Sequence, residues 1–235
     1  MNAHWSPARV WTGLALAAWA GLFWFVLVTG RTGLYLSSRT AWVVPLGGIL
    51  ATVAAVLRLA SARTTRPEHL DARGSWTLGV VVLPVVILLA MPPATLGTYA
   101  VGRRSGFVGS GVSASGGSLA SGELTLLDVA AAQSSAAGRA ALQQRAGEAV
   151  TFEGLVTLES GAGPGEFKLT RFIITCCVAD ATIAQVTVVD APPGPLQDND
   201  WVRVTGRLYP LGDEILLDAS AVEPIPEPER PYLTP

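Results

Sequence analysis

The chain has 235 residues, half of them hydrophobic and 14% charged, and a mean hydropathy of +0.42, which excludes an ordinary soluble domain. Its net charge of −2 hides an asymmetry, because eleven of sixteen basic residues precede Glu148 while fourteen of eighteen acidic residues lie from Glu148 onward. That acidic C-terminal part argues against a phosphate-backbone binding surface, and two histidines and two cysteines in all leave no Cys/His-rich metal framework.

Three stretches reach the roughly twenty apolar residues that a hydrocarbon core of about 30 Å asks of a helix. They are Val10 to Thr29, Ala41 to Ala60 and Trp76 to Tyr99, none with a charge near its centre. Residues 1–101 therefore read as a membrane domain with three transmembrane helices. The first follows Arg9, but its apolar run exceeds the core of a signal peptide. VTGRTG after it has no small-x-small cleavage site, so it reads as a retained anchor. Arg58, Arg63, Arg66 and Arg73 crowd the second connection, and the positive-inside rule puts that loop and the N-terminus in the cytoplasm. Three crossings of the cell membrane then carry the C-terminal domain to the extracytoplasmic side. Trp5, Trp11, Trp42 and Trp76 sit near span ends, as interfacial indoles do. Pro45 and Pro84 fall within spans. With no intramembrane charge beside them, they read as kinks packed against a neighbour rather than as a transport site.

Residues 102–122 include GSGVSASGGSLASG, a tract that cannot bury enough surface to fold and reads as a flexible tether. It has no following GKS or GKT, so it is not a phosphate loop, and no cofactor is expected. Residues 123–146 form a helical connector interrupted at Ser134 and Ser135, with Leu124, Leu126, Leu127 and Val129 as a docking patch. From Ala149 the apolar period changes to that of strands: 149–159, 167–177, 183–190, 201–209 and 214–225. Gly154 and Gly206 mark bends. Five short strands over residues 147–225 predict a small Greek-key barrel of the OB type, with a β-sandwich as the alternative. Residues 226–235 are a Pro-rich extended tail. The predicted fold class is α+β: three N-terminal transmembrane helices and a C-terminal, small, all-β OB-like barrel.

OB barrels often hold single strands of nucleic acid through basic grooves and aromatic platforms. This one sets five basic residues against fourteen carboxylates, so no nucleic-acid partner is expected. The most informative stretch is RFIITCCVADA, residues 171–181, which places Cys176 and Cys177 side by side with Asp180 near. Three readings stand open. A structural pair would put one thiol in the core and the other outside. A vicinal disulfide would join Cα atoms about 3.8 Å apart, below the usual span of about 4.4–6.8 Å. A metal contact would need ligands from elsewhere, since adjacent strand residues point to opposite faces and His4 and His69 are expected across the membrane. No metal site is assigned from the sequence. No histidine follows His69 and no GxSxG elbow occurs, so no catalytic residue and no enzyme activity are expected.

MPPATLG (91–97), TLLDVAAA (125–132), GEAVTFEGLV (147–156), FIITCCVADA (172–181), DWVRVTGRL (200–208) and PYL (231–233) together resemble the YcgQ-like family. These are bacterial membrane proteins encoded beside a predicted multi-span permease. The resemblance covers most of the chain, and it implies that Cys176, Cys177, Ala179 and Asp180 are a family signature. It also implies a non-enzymatic, membrane-anchored accessory subunit whose partners are the bilayer and a multi-span permease. The alternative is an envelope redox or metal-handling protein built on the Cys176–Cys177 pair.

Overall fold

A computed structural model describes residues 4–91, 95–104, 106, 123–212 and 214–235. Most of the expected Gly/Ser tether, and Asp213, lie outside the described residues. The chain forms two compact units. One comprises Met1–Tyr35 and Arg39–Ala94, the other Leu36–Ser38 and Thr95–Pro235.

The first unit is built on α1 (Pro7–Val28), α2 (Val43–Ala60) and α3 (Ala72–Ala90), each long and apolar enough to cross a membrane. Pro7 opens α1 at a position where its missing N–H costs nothing. Asp71 caps α3 by accepting from Gly74 N. Small residues let α1 and α2 approach closely: a Cβ on Gly47 would stand 3.1 Å from the Phe23 ring, and one on Gly48 would stand 3.2 Å from Trp24. Trp24 also donates its indole N–H to Thr52 Oγ1 at 3.1 Å. Pro84 removes a backbone donor within α3, and at that turn the Trp19 indole N–H donates to Val81 O at 3.0 Å. The bond falls on the carbonyl next to Val80 O, the acceptor whose helical donor Pro84 removes. At the other end of α1, Arg9 and Arg58 converge on Glu68 at 2.8 and 3.5 Å, and the Arg9 hydrogen bond holds the Glu68 carboxyl below its usual range.

The third helix is shorter than the sequence predicts. It stops at Ala90, because Met91 precedes Pro92 and adopts the extended conformation such a residue favours (φ −86°, ψ 136°). Of the described residues beyond it, Thr95–Gly97 are not helical. Thr98–Val101 is a separate helical turn in the barrel unit, where Leu96 N donates to Tyr232 Oη and Thr98 N to Asn199 Oδ1.

The second unit is the barrel. Its strands are β1 (Ala149–Thr157), β2 (Phe167–Ile173), β3 (Thr182–Val189), β4 (Trp201–Leu211) and β5 (Glu214–Pro224). They close in the order β1-β2-β3-β5-β4, with β3 and β5 parallel and the other pairs antiparallel. This is the connectivity of an OB barrel, and the α+β expectation holds. Helices α4 (Leu126–Gln133) and α5 (Ala136–Gln144) precede it. Thr125 and Asp128 form a capping box on α4, and Ser135 caps α5, so the serine interruption is where one helix ends and the next begins. Leu126, Val129 and Leu142 join Phe152, Leu169, Val186, Val204 and Leu217 in the main core.

A second, smaller core lies elsewhere on the barrel and gathers Leu155, Phe172, Ile174, Ala181, Trp201 and Tyr232. Tyr232 comes from the Pro-rich tail, which runs along the end of β2. Leu233 N donates to Phe172 O at 2.8 Å, and Ile174 N donates to Leu233 O at 2.9 Å. Arg171 holds the same tail by donating to Arg230 O and Pro231 O.

Candidate functional site

The β2 strand ends at Ile173, and the chain then turns through Thr175–Ala181 before β3 begins. Its first turn is set by one carboxylate: Asp180 Oδ1 accepts from Thr175 N at 3.1 Å, and Oδ2 accepts from Cys176 N at 2.7 Å. Asp180 N in turn donates to Cys177 O at 3.0 Å, closing the short 3-10 turn Val178–Asp180. Ile174 and Ala181, both buried, anchor the two ends of the loop in the second core. The Arg104 guanidinium binds the loop's carbonyls, donating to Ala179 O at 2.7 Å and Ala181 O at 3.2 Å.

A third support comes from far away in sequence. Leu36 forms an antiparallel bridge with Cys177. Ser37 N donates to Cys176 O at 3.1 Å, and the buried Ser37 hydroxyl donates to Thr175 O at 2.8 Å. Neither Leu36 nor Ser37 is marked by the sequence as part of the site. A small polar residue in a loop becomes informative only once its buried hydroxyl is seen paired.

This geometry corrects the reading of the cysteines as neighbours on a strand. The strand has ended before them, so strict alternation does not apply, and the sulfurs stand 3.7 Å apart rather than on opposite faces. Cys176 is exposed and Cys177 is half-buried, and at 3.7 Å the sulfurs are not joined as a disulfide. Neither fills the barrel core. Cys176, Cys177 and Asp180 are therefore brought together, with Asp180 bonded to the Cys176 backbone.

Hydrogen bonding to Asp180, followed by hydrogen bonding to Cys177, pushes the Cys176 thiol up to about 11. Partial burial works to raise the Asp180 carboxyl, but the Cys176 thiol and the backbone N–H groups of Cys176, Thr175 and Cys177 outweigh it and hold it below its usual range. Since the thiolate is the reactive form, Cys176 is a protonated, sluggish nucleophile at neutral pH. Asp180→Asn removes the charge that opposes ionisation. At pH 8 it should speed alkylation of Cys176 by iodoacetamide about tenfold or more, measured by mass spectrometry in a Cys177→Ser background; an unchanged rate would show that the carboxylate does not control the thiol.

Among the described residues, no three of His, Cys, Asp and Glu are grouped so as to hold a metal ion. The acidic residues before β4 serve the backbone: Asp198 Oδ1 accepts from Leu158 N and Asp200 Oδ2 from Gln197 N, both at 2.8 Å. A cavity of about 590 Å³ beside β3 and β5 is lined by Lys168, Gln185, Thr187 and Glu214 among others. Thr187 donates to Glu214 and Gln185 to Thr170, so the polar side chains there largely bind one another.

Fold and site define a class: an OB-type barrel with a clamped vicinal dithiol in its β2–β3 loop, in a chain with three apolar N-terminal helices. Residues 139–235 match the DUF1980 C-terminal domain family, a span that takes in part of α5, the whole barrel, both cysteines and the tail. The match is consistent with the YcgQ-like resemblance. No curated protein matches the chain.

Proposed function

We propose that the chain is a non-enzymatic, membrane-anchored accessory subunit of a multi-span permease, with its barrel on the extracytoplasmic side of the cell membrane. The observation that carries this reading is the outward-facing apolar surface of the helices. Only 6% of the α3 span is buried within the protein, against 22% for α1. Helices that cover one another so little enclose no polar path of their own and leave a large surface for lipid and for a partner's helices. An apolar groove of about 550 Å³ between α1 and α3, lined by Trp11, Ala15, Ala18, Leu78 and Gly79 among others, offers a place for such a helix.

The arginine-rich connection between α2 and α3 supports a cytoplasmic location for that loop. Three crossings on this reading leave Leu36–Ser38 and the barrel on the same side, in keeping with their membership of one compact unit. The raised thiol pKa of Cys176 and a barrel sequence with no histidine favour a non-catalytic role. The acidic balance of the domain weighs against nucleic acid.

Co-purification in mild detergent with the permease encoded alongside is the test. The expected result is a stable complex that Gly79→Leu weakens while the chain itself still folds. Repeated recovery of intact permease without this chain would overturn the proposal. A second reading, an envelope redox or metal-handling protein, is favoured by one observation: the 3.7 Å separation of the two sulfurs.

A further inference from the structure

We propose that the loop between α2 and α3 is a docking surface for the phosphate of an anionic phospholipid, carried by Arg63, Arg66 and Arg73. This rests on the reading of the three apolar helices as membrane spans, and it is independent of any permease.

The loop is held in place by the start of the chain. His4–Trp5 pairs antiparallel with Arg63–Thr64, and Ser6, which follows, is fully buried. Ser6 N donates to Ala62 O at 2.9 Å, while its hydroxyl donates to Glu68 O at 3.1 Å and accepts from Glu68 N at 3.0 Å. One residue thus ties down both ends of the stretch from Ala62 to Glu68. A surface already formed loses little freedom on binding.

The arginines at this end of the helices divide into two sets. Arg9 and Arg58 are spent on Glu68, and Arg9 also donates to Ser61 O at 3.0 Å. Asp71, the other acid there, accepts from Gly74 N as the cap of α3. Arg63, Arg66 and Arg73 are exposed, and among the described residues none of them has an ion-pair partner. Arg73 also stands in the first turn of α3, where a cation opposes the helix dipole and a bound anion would relieve it. A guanidinium presents a fork of N–H donors that matches two oxygens of a phosphate.

Exposed indoles accompany two of these arginines and point to a lipid as the source of the phosphate. The Arg63 guanidinium lies 5.0 Å from the centre of the Trp5 ring. Arg73 and Trp76 are three residues apart within α3, so they share one face of its first turn. Trp5 is 60% exposed and Trp76 is 76% exposed, a cost in water that vanishes at the headgroup level, where indoles settle. Each indole would hold its arginine at the depth of the lipid phosphates. A soluble anion would gain nothing from them.

The test is reconstitution of the full chain into phosphatidylcholine vesicles in which a rising share of the lipid is dibrominated phosphatidylglycerol or, in parallel, dibrominated phosphatidylcholine. Brominated chains quench indole fluorescence on contact, so the two curves give the relative affinity for the two headgroups. A preference for phosphatidylglycerol of about tenfold or more is expected, lost in Arg66→Gln/Arg73→Gln and weakened by roughly 0.5 M NaCl. Arg31→Gln/Arg39→Gln removes the same charge from the connection between α1 and α2 and should leave the preference intact. Thermal unfolding checks that both variants remain folded. No preference in the parent chain, a preference that survives in Arg66→Gln/Arg73→Gln, or one lost equally in Arg31→Gln/Arg39→Gln would overturn the proposal. Abolition of the preference by inorganic phosphate would also overturn it, assigning the arginines to a soluble anion. Flotation with pure phosphatidylcholine vesicles separates the two readings: a chain that does not float overturns the anchored reading and this proposal with it, whereas one that floats without a headgroup preference overturns this proposal alone.

Discussion

Phe172→Ala should destabilise the barrel by about 4 kcal/mol, within the range for removing a fully buried aromatic ring. Phe172 is 1% exposed and lies against Leu155, Ile174, Trp201 and Tyr232 in the second core. Its ring meets Tyr232 edge-on, with centroids 6.4 Å apart and planes at 87°, a geometry worth about 1 kcal/mol beyond buried area. The cavity would open in a cluster to which Ile174 and Ala181, the ends of the cysteine loop, both belong. The substitution should therefore act twice. Thermal unfolding in detergent would register the lost stability, and faster alkylation of Cys177 in the folded protein would register the loosened loop. A drop in stability below about 1 kcal/mol would mean that the tail, not the ring, holds this cluster together.

Gly206→Val should be comparably damaging, at about 3 kcal/mol or more, because the added atoms meet backbone that cannot turn aside. Gly206 lies opposite Ala219 where the β4–β5 register shifts, so that Thr205 pairs with Ala221 and Ser220 is left over. A Cβ at Gly206 would stand 2.9 Å from the Asp218 carbonyl carbon and 3.1 Å from Ala219 Cα. The bulge bends the two longest strands, and closure of the barrel depends on that bend. Gly194→Ala is the matched control: a Cβ there meets nothing within 4 Å, and the change should stay within about 0.5 kcal/mol. Equal unfolding temperatures for the two variants would refute a steric role for Gly206.

Much of this architecture was legible from short-range pattern. Apolar runs of about twenty residues with no charge near the centre, and the alternation in WVRVTGRLY, mark the helices and β4 because each is a local pattern. Glycines within strand patterns mark close approaches: Gly206 sits at the register shift, and a Cβ on Gly154 would stand 2.8 Å from Thr170 O. The overrun of the third span to Tyr99 has an equally local cause. Hydropathy continued past Ala90, but Met91 stands before Pro92, and an apolar average does not register the conformational restriction a proline places on the residue before it.

The site was legible in composition but not in geometry. Cys176, Cys177 and Asp180 stood out as residue types. Their arrangement depends on where β2 ends, and strand ends are set by tertiary partners rather than by alternation. Here the partners are Leu233, which takes up the backbone groups of Phe172 and Ile174, and Asp180, which turns the chain immediately afterwards. Neither Ser37, 138 positions before Thr175, nor Arg104 has any sequence signal connecting it to the loop.

The membership of Leu36–Ser38 in the barrel unit also sets an order of assembly. Ser37 is synthesised before α2 and α3, yet the carbonyls it serves belong to Thr175 and Cys176. The thiol loop can reach its final form only after the chain has left that three-residue segment, run through two further apolar helices and come back with a finished barrel. A barrel produced from Thr95 onward would keep all five strands and both cysteines. It would lack the two Ser37 donors that bind Thr175 O and Cys176 O. A three-residue segment lying between the first two apolar helices in sequence is therefore a component of the cysteine loop.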